Sequence, residues 1–253
     1  SRRDRLLPLR RGGGRGGNAG PELAGVLVTA VRLLPERPQH HLVQPHVDGD
    51  VLRRQLEAAH RVYRGLKDPV KGTQLYPGLV PGSEPFWPNR DPANPFSIPI
   101  AHYKWLVFAD PNWDWRTFRF EDPAGYQAFL KGESKFAPIL NATDPNLREF
   151  RQRGGKLLQY HGWNDQLIAP QNSIDYYESV ISLFGGSGQD RTVSMREVQG
   201  FYRLFMAPGM AHCSGGTGPN SFDMQAAMEQ WVERGIAPEE IIATRSTNGV
   251  VDR

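Results

Sequence analysis

Residues 154–253 alternate between buried strands and amphipathic helices, and this alternation is the feature that most limits how the chain can fold. Strands are predicted at residues 156–161 and 201–206, and helices at residues 173–184 and 222–234. Strands that are separated by helices of this length predict right-handed crossovers and a parallel sheet. The sequence therefore predicts an α/β fold in which a parallel sheet has flanking helices.

Each predicted strand is followed by a loop that contains one candidate functional side chain. Asp165 lies in the loop after the first strand, and His212 lies in the Gly-rich loop after the second. Taken alone, an aspartate in such a turn or a lone loop histidine is more often structural than catalytic. The pair is more informative, because loops at the carboxyl ends of parallel strands open on one edge of the sheet, where their side chains can meet.

The order of the two residues along the chain adds a chemical argument. An aspartate after one parallel strand and a histidine after the next match the second half of the Ser…Asp…His order of α/β-hydrolases. In that chemistry the histidine takes the proton of a serine hydroxyl and later gives it to the leaving group, while an ionised aspartate orients the imidazole. The sequence therefore predicts that Asp165 and His212 form a proton-handling pair.

Residues 1–50 differ in composition from the rest of the chain. They contain no Phe, Tyr or Trp, and they hold eight Arg and five acidic residues but no Lys. A segment this poor in large apolar side chains cannot offset the entropy cost of ordering, so we expect a largely disordered, Arg/Gly-rich leader. An RNA-binding tail and an out-of-frame or chimeric gene start are the alternatives that stay open for this segment.

The remaining residues, 51–253, hold 22 basic and 22 acidic side chains, so the net charge of +3 belongs to the leader. A neutral body offers no basic face, and we therefore expect no nucleic-acid partner. No apolar run reaches the roughly 18 residues that a membrane span needs, so we expect no membrane partner. The first residues lack an apolar segment followed by a cleavage site, and we expect no signal peptide.

The segment between the leader and the alternating region is residues 51–153. Apolar residues at helical spacing predict a helix that starts at residue 51 and ends at Gly65. Residues 66–100 contain eight prolines and predict a long irregular stretch, which is usually a functional loop or a lid. The elements predicted next are an aromatic-rich segment at residues 100–121 and short helices at residues 123–131 and 144–152.

Three runs of this sequence resemble a known family. Residues 154–165 read GGKLLQYHGWND, residues 207–216 read APGMAHCSGG, and residues 63–69 read YRGLKDP. These runs resemble the tannase/feruloyl esterase family of α/β-hydrolases, and the resemblance extends over about residues 55–245. The expected fold is then a partial α/β-hydrolase with an irregular, loop-rich lid segment.

The resemblance implies roles for the two parts of the chain and for three side chains. Residues 51–153 would be part of a lid domain, and residues 154–253 would be the C-terminal part of the catalytic domain. Asp165 would be the acid and His212 the base of a Ser-His-Asp triad that hydrolyses esters of aromatic acids of the feruloyl or galloyl type. Trp163 is a candidate substrate contact, since flat rings stack on aromatic side chains; the alternative is a packing role.

The resemblance also implies a disulfide and a metal site that this chain does not match. In the family, the cysteine after the histidine pairs with a cysteine just before the nucleophilic serine, but Cys213 is the only cysteine here, so its partner is missing. The family's calcium loop has no convincing counterpart, since the run HVDGD at residues 46–50 is too short, and we expect no metal and no other cofactor. Family members are usually secreted or periplasmic.

The largest departure from the family concerns the nucleophile. The family's serine lies in a Gly-Cys-Ser-x-Gly-Gly elbow, and no Gly-x-Ser-x-Gly occurs in this sequence. Two interpretations therefore stay open. The chain is either a fragment of a serine-type carboxylic ester hydrolase that acts on a small aromatic ester, or a catalytically inactive truncated product with no function of its own.

Overall fold

The structure is a computed structural model that describes residues 4–6, 49–87, 95–186, 188 and 190–251. The chain divides into a large unit of residues 1–9 and 58–253 and a small unit of residues 10–57. In the small unit the structure describes residues 49–57, which form the first turns of a helix. The predicted disordered leader thus lies outside the described residues, apart from residues 4–6 and 49–50.

Helices and strands alternate in the second half of the chain, and the first half has shorter and less regular elements. The α-helices are α1 (Gly49–Arg64), α2 (Ser97–Ala101), α3 (Pro123–Leu140), α4 (Arg148–Gln152), α5 (Pro170–Gly185), α6 (Arg191–Gln199) and α7 (Met224–Arg234). The strands are β1 (Asp4–Leu6), β2 (Leu66–Lys67), β3 (Gln74–Tyr76), β4 (Leu157–Gly162), β5 (Tyr202–Ala207), β6 (Ile241–Ala243), β7 (Ser246–Thr247) and β8 (Val250–Val251). Two 3₁₀ turns (Glu84–Phe86 and Trp115–Thr117) and a π-helix (His102–Val107) complete the described elements. Among the described residues, no helix is both long and apolar enough to span a bilayer.

Strands β4 and β5 lie side by side in parallel, which confirms the predicted parallel pairing. The register joins Leu157 to Tyr202 at one end and Gly162 to Ala207 at the other. Both strands therefore end at the same edge of the sheet, and helices α5 and α6 form the connection between them. The loops that follow the two strands start next to each other because a parallel register without an offset brings their carboxyl ends together.

Strand β5 is buried along its whole length and contributes to two apolar clusters, because successive side chains of a strand point to opposite faces. Tyr202, Leu204 and Met206 pack with side chains of α5 and α6. Phe205 and Ala207 pack with β6 and with residues at the start of α7. Helices thus cover both faces of the strand pair, as the sequence predicted.

Helix α6 was not predicted from the sequence. Its only large apolar side chains are Val193, Met195 and Val198, which is too few for a clear apolar stripe. Its stability comes from its surroundings: the Asp190 side chain accepts a hydrogen bond from Thr192 N at 2.6 Å, and Val198 is fully buried in the cluster with α5. Tertiary packing therefore stabilises a helix that the spacing of apolar residues does not predict.

The structure also corrects the predicted bounds of several elements in residues 66–152. Helix α3 continues past residue 131 to Leu140 and packs closely on the π-helix at Gly132, where a Cβ would lie 3.0 Å from Val107 Cγ2. Helix α4 is shorter than residues 144–152. The stretch 66–100, predicted to be irregular, contains the antiparallel pair β2 and β3. Strand β1 pairs antiparallel with β6, so this piece of the predicted leader is ordered.

Residues 66–153 of the predicted lid segment are tied together by buried polar contacts as well as by aromatic packing. Asp68 is 5% exposed and accepts a hydrogen bond from Tyr126 Oη at 2.7 Å, which connects the turn after β2 to helix α3. The backbone N–H groups of Val70 and Lys71 also donate to Asp68. Because a buried carboxylate without partners is costly, these three donors define the fold of this turn.

The packing of helix α5 against the sheet generates a stability prediction with a matched control. Val180 on α5 is fully buried, and Val193 on α6 is 48% exposed. We expect Val180→Ala to lower the free energy of unfolding by about 2 kcal/mol, since it removes buried methyl groups and leaves a cavity. We expect Val193→Ala to change it by less than about 0.5 kcal/mol. Urea unfolding followed by far-UV circular dichroism measures both; equal effects of the two changes would contradict the packing described here.

Candidate active site

Two loops meet at the edge where β4 and β5 end. We call residues 163–169 the acid loop and residues 208–221 the histidine loop. The loops are held together by backbone hydrogen bonds, since Trp163 N donates to Ala207 O and Asn164 N donates to Met210 O, each at 2.9 Å. The approach is so close that a Cβ on Gly162 would lie 2.3 Å from Met210 O. Only glycine at this position allows the two loops to be neighbours.

The structure brings together the two side chains that the sequence predicted to form a pair. His212 Nδ1 lies 2.9 Å from Asp165 Oδ2 and 3.2 Å from Oδ1. An ionised carboxylate only accepts hydrogen bonds, so Nδ1 carries the proton in the neutral imidazole and Nε2 is left as the basic nitrogen. The Asp165 residue is 4% exposed, whereas the His212 side chain is 35% exposed. The pair therefore has a buried acid and an imidazole that solvent or a substrate can reach.

The Asp165 carboxylate has four hydrogen-bond donors around it. Besides His212, the backbone N–H groups of Leu167 and Ile168 donate to Oδ1 at 2.8 and 2.9 Å, and His161 Nε2 lies 3.1 Å from Oδ2. Burial by itself raises the pKa of the Asp165 carboxyl. The hydrogen bonds from the two imidazoles and the two backbone N–H groups outweigh burial and hold this pKa well below its usual value. Asp165 is therefore ionised at neutral pH.

The histidine loop is held in place by a side chain of the acid loop. His212 N donates to Gln166 Oε1 at 3.1 Å, and Ser214 N donates to His212 O at 2.8 Å. Gln166 and His161 were not predicted to act at the site. Gln166 follows Asp165 directly, and His161 precedes it by four residues. This closeness in sequence was the only available signal, and it does not reveal that both side chains turn inward.

Trp163 and Cys213 are the other two side chains that the resemblance singles out. Trp163 is partly buried and packs against the apolar cluster that α5, α6 and β5 share. A contact between Trp163 and substrate stays a prediction. Cys213 follows His212, is exposed and is free, so the structure shows no disulfide at this position.

The lid segment contacts the acid loop directly. Asn164 Nδ2 donates to Gly82 O at 2.6 Å. On the same side, burial raises the pKa of the Tyr76 hydroxyl, and the nearby negative charge of Asp165 raises it further. A lid residue thus lies within the electrostatic field of the acid. Among the residues that the structure describes, no group of three or more His, Cys, Asp or Glu side chains is placed to hold a metal ion.

The sequence model of the family described as "Tannase and feruloyl esterase" matches residues 43–252. The chain belongs to this family. Its fold is accordingly that of an α/β-hydrolase, which confirms the fold class that the sequence predicted, and its relatives in the family are carboxylic ester hydrolases.

Two relatives and two solved structures illustrate the similarity. The chain is 38% identical to a "Probable feruloyl esterase B-1" of Aspergillus flavus over 195 residues, and 36% identical to a "Probable feruloyl esterase B-2" of Aspergillus terreus over 195 residues. It superposes with a TM-score of 0.65 on an esterase of Aspergillus oryzae at 32% identity, covering 79% of this chain and 40% of the other. It also superposes with a TM-score of 0.58 on a tannin acyl hydrolase of Aspergillus niger, covering 77% and 41%; at 24% identity this shows the fold alone.

The chain spans only part of the proteins that it matches. The alignment with the Aspergillus flavus relative covers 71% of this chain and 35% of that relative, and the alignment with the Aspergillus terreus relative covers 71% and 34%. Family membership therefore describes the fold and ancestry of this chain, and its activity requires a separate argument.

The lowered pKa of Asp165 generates a prediction about stability and pH. A carboxyl whose pKa is lower in the folded than in the unfolded chain, where it is about 3.9, stabilises the fold above that value and loses this contribution as the pH falls toward the folded pKa. We expect Asp165→Asn to remove this acid-dependent loss of unfolding free energy. For one proton, the loss is at most about 1.4 kcal/mol per pH unit. Urea unfolding at steps between about pH 6 and pH 3 measures it.

The exposed Asp175, whose carboxylate accepts a hydrogen bond from Gln171 Nε2, is the matched control. Asp175→Asn should keep the acid dependence of the unmodified chain. If Asp165→Asn kept that dependence as well, the conclusion that this carboxylate is selectively stabilised in the fold would be wrong.

Proposed function

We propose that this chain supplies the acid–base half of a serine-type carboxylic ester hydrolase, with Asp165 as the acid and His212 as the base. The observation that carries the proposal is the 2.9 Å contact between Asp165 Oδ2 and His212 Nδ1, with the imidazole partly exposed. A buried ion that orients an accessible imidazole is the arrangement that general-base activation of a hydroxyl needs.

The proposed reaction proceeds in two proton-coupled steps. His212 Nε2 takes the proton of a serine hydroxyl as the serine attacks the ester carbonyl, and it gives this proton to the departing alcohol when the acyl-serine forms. Water then repeats the sequence and releases the acid. This sequence contains no Gly-x-Ser-x-Gly, so we propose that the serine lies outside these 253 residues.

Esters of aromatic acids are the proposed substrates. Relatives of this chain are named feruloyl esterases. In the lid segment, Tyr103 and Phe118 pack with ring centroids 4.7 Å apart, and Phe108 and Trp113 pack at 4.9 Å. Beside them lies an open groove of about 510 Å³ that includes Trp115. Aromatic walls of this kind support binding of a flat acyl group. We also propose that this chain has the secreted or periplasmic location that is usual in its family.

A chimaera tests the proposal, because it places these residues in a complete hydrolase. The segment of the Aspergillus flavus feruloyl esterase B-1 that aligns with this chain is replaced by the matching residues of this chain, and hydrolysis of methyl ferulate is measured. We expect turnover in the chimaera. Asp165→Asn should lower kcat by about 10⁴-fold, and His212→Ala by at least as much, because the proton transfers lose their base or its orientation.

His60 provides the matched control, since it is an exposed histidine on helix α1. His60→Ala should leave kcat within about twofold of the parent chimaera. The unmodified chain alone should show no turnover above the level of its His212→Ala variant. A folded chimaera whose activity is unaffected by His212→Ala would disprove the proposed role, and an inactive chimaera with a cooperative melt would favour the alternative of a product without catalytic function.

A further inference from the structure

Three partly buried hydrogen bonds lead from Tyr202 to His161, whose ring then contacts the Asp165 carboxylate. Tyr202 Oη donates to Gln159 Oε1, and Gln159 Nε2 donates to Ser173 Oγ at 3.0 Å. Ser173 Oγ lies 2.7 Å from His161 Nδ1, and His161 Nε2 lies 3.1 Å from Asp165 Oδ2. The set joins both strands of the parallel pair and helix α5 to the acid.

The acceptors around His161 determine which of its nitrogens carries the proton. Nε2 lies 3.1 Å from Ile168 O as well as 3.1 Å from Asp165 Oδ2. A carbonyl and a carboxylate can only accept, so Nε2 must be the donor. In the neutral ring Nδ1 is then an acceptor, and it receives the Ser173 hydroxyl proton. Ser173 in turn accepts from Gln159, so every polar atom of the set has a partner of the right kind.

The direction of these bonds matters for the acid. Each donor points along the set toward Asp165, and none of the groups competes with the carboxylate for the His212 proton. The His161 side chain is 9% exposed and Ser173 is 8% exposed, so His161 lies behind the acid rather than on the solvent side. His161 is therefore placed to reach the pair only through Asp165.

We propose that His161 is a positioning residue for the acid–base pair: its Nε2–H holds the Asp165 oxygen that also receives the His212 proton, and Ser173 keeps His161 in the required tautomer. The oxygen Oδ2 is shared by the two imidazoles, at 3.1 Å from His161 and 2.9 Å from His212. With Oδ1 held by two backbone N–H groups, both carboxylate oxygens are fixed, and the direction in which Oδ2 points at His212 is determined. The inference rests on the proposed function and deepens it.

A purely structural role for His161 is the competing explanation. The ring contacts Ile168 O and Ser173, so it joins the end of β4 to the start of α5 whatever the acid does. The two explanations differ in what they expect of the ionisation of Asp165. A structural contact leaves it unchanged as long as the chain is folded, whereas a donor that stabilises the carboxylate raises the Asp165 pKa when it is removed.

The test is a ¹³C NMR titration of the Asp165 carboxyl carbon in the whole chain and in three variants. In the unmodified chain we expect the carboxylate signal at the lowest pH at which the fold persists. His161→Leu removes the donor and should move the Asp165 titration midpoint up by about one pH unit or more. His161→Gln places an N–H at the position of Nε2 and should restore a low midpoint. Ser173→Ala keeps the His161 ring but removes the hydroxyl that favours its Nε2-protonated form, so it should shift the midpoint less than His161→Leu.

A second measurement covers the case in which His161→Leu does not fold. In ¹⁵N NMR spectra the neutral His161 ring of the unmodified chain should carry its proton on Nε2, and Ser173→Ala should introduce the Nδ1-protonated form. A proton on Nδ1 in the unmodified chain would overturn the proposal. So would an unchanged Asp165 midpoint in a cooperatively melting His161→Leu variant. If the midpoint responds but the esterase chimaera is inactive, the proposed function fails and the role of His161 in holding the acid stands.

Discussion

The buried negative charge of Asp165 is the constraint on which the rest of the site depends. A carboxylate that is 4% exposed is stable only when donors surround it, and here they come from strand β4, from the acid loop itself and from the histidine loop. The same contacts that stabilise the charge also determine the position of His212. Under the proposed function, stability and catalysis are therefore coupled in this region, because the ion that the fold must accommodate is also the group that orients the base.

The parallel strand pair makes this arrangement possible. With β4 and β5 in matched register, their following loops start side by side, and Gly162 allows the backbones to approach to a distance that any Cβ would block. Apolar clusters on both faces keep β5 buried, so the strand ends are a rigid platform for two loops that carry polar side chains. Loops supported in this way can hold an acid and a base at hydrogen-bonding distance with little freedom to separate.

The lid segment is connected to the same platform. The hydrogen bond from Asn164 to Gly82 and the proximity of Tyr76 to Asp165 connect the lid segment to the acid loop. Most aromatic side chains of residues 100–121 pack on one another, and an open groove lies beside them. The predicted lid segment thus combines aromatic packing with one accessible aromatic wall.

The sequence by itself determined the alternation of strands and helices, the parallel pairing, the family and the two residues Asp165 and His212, because hydrophobic periodicity and short motifs are local properties of the chain. Only the tertiary structure decided helix α6, the length of α3 and the inward orientation of His161 and Gln166. Helix α6 depends on packing against α5. The orientation of His161 depends on groups of the acid loop and of helix α5, which surround its ring only after the chain has folded back on itself. A pattern within one segment cannot encode such contacts, since their geometry exists only once the segments have packed.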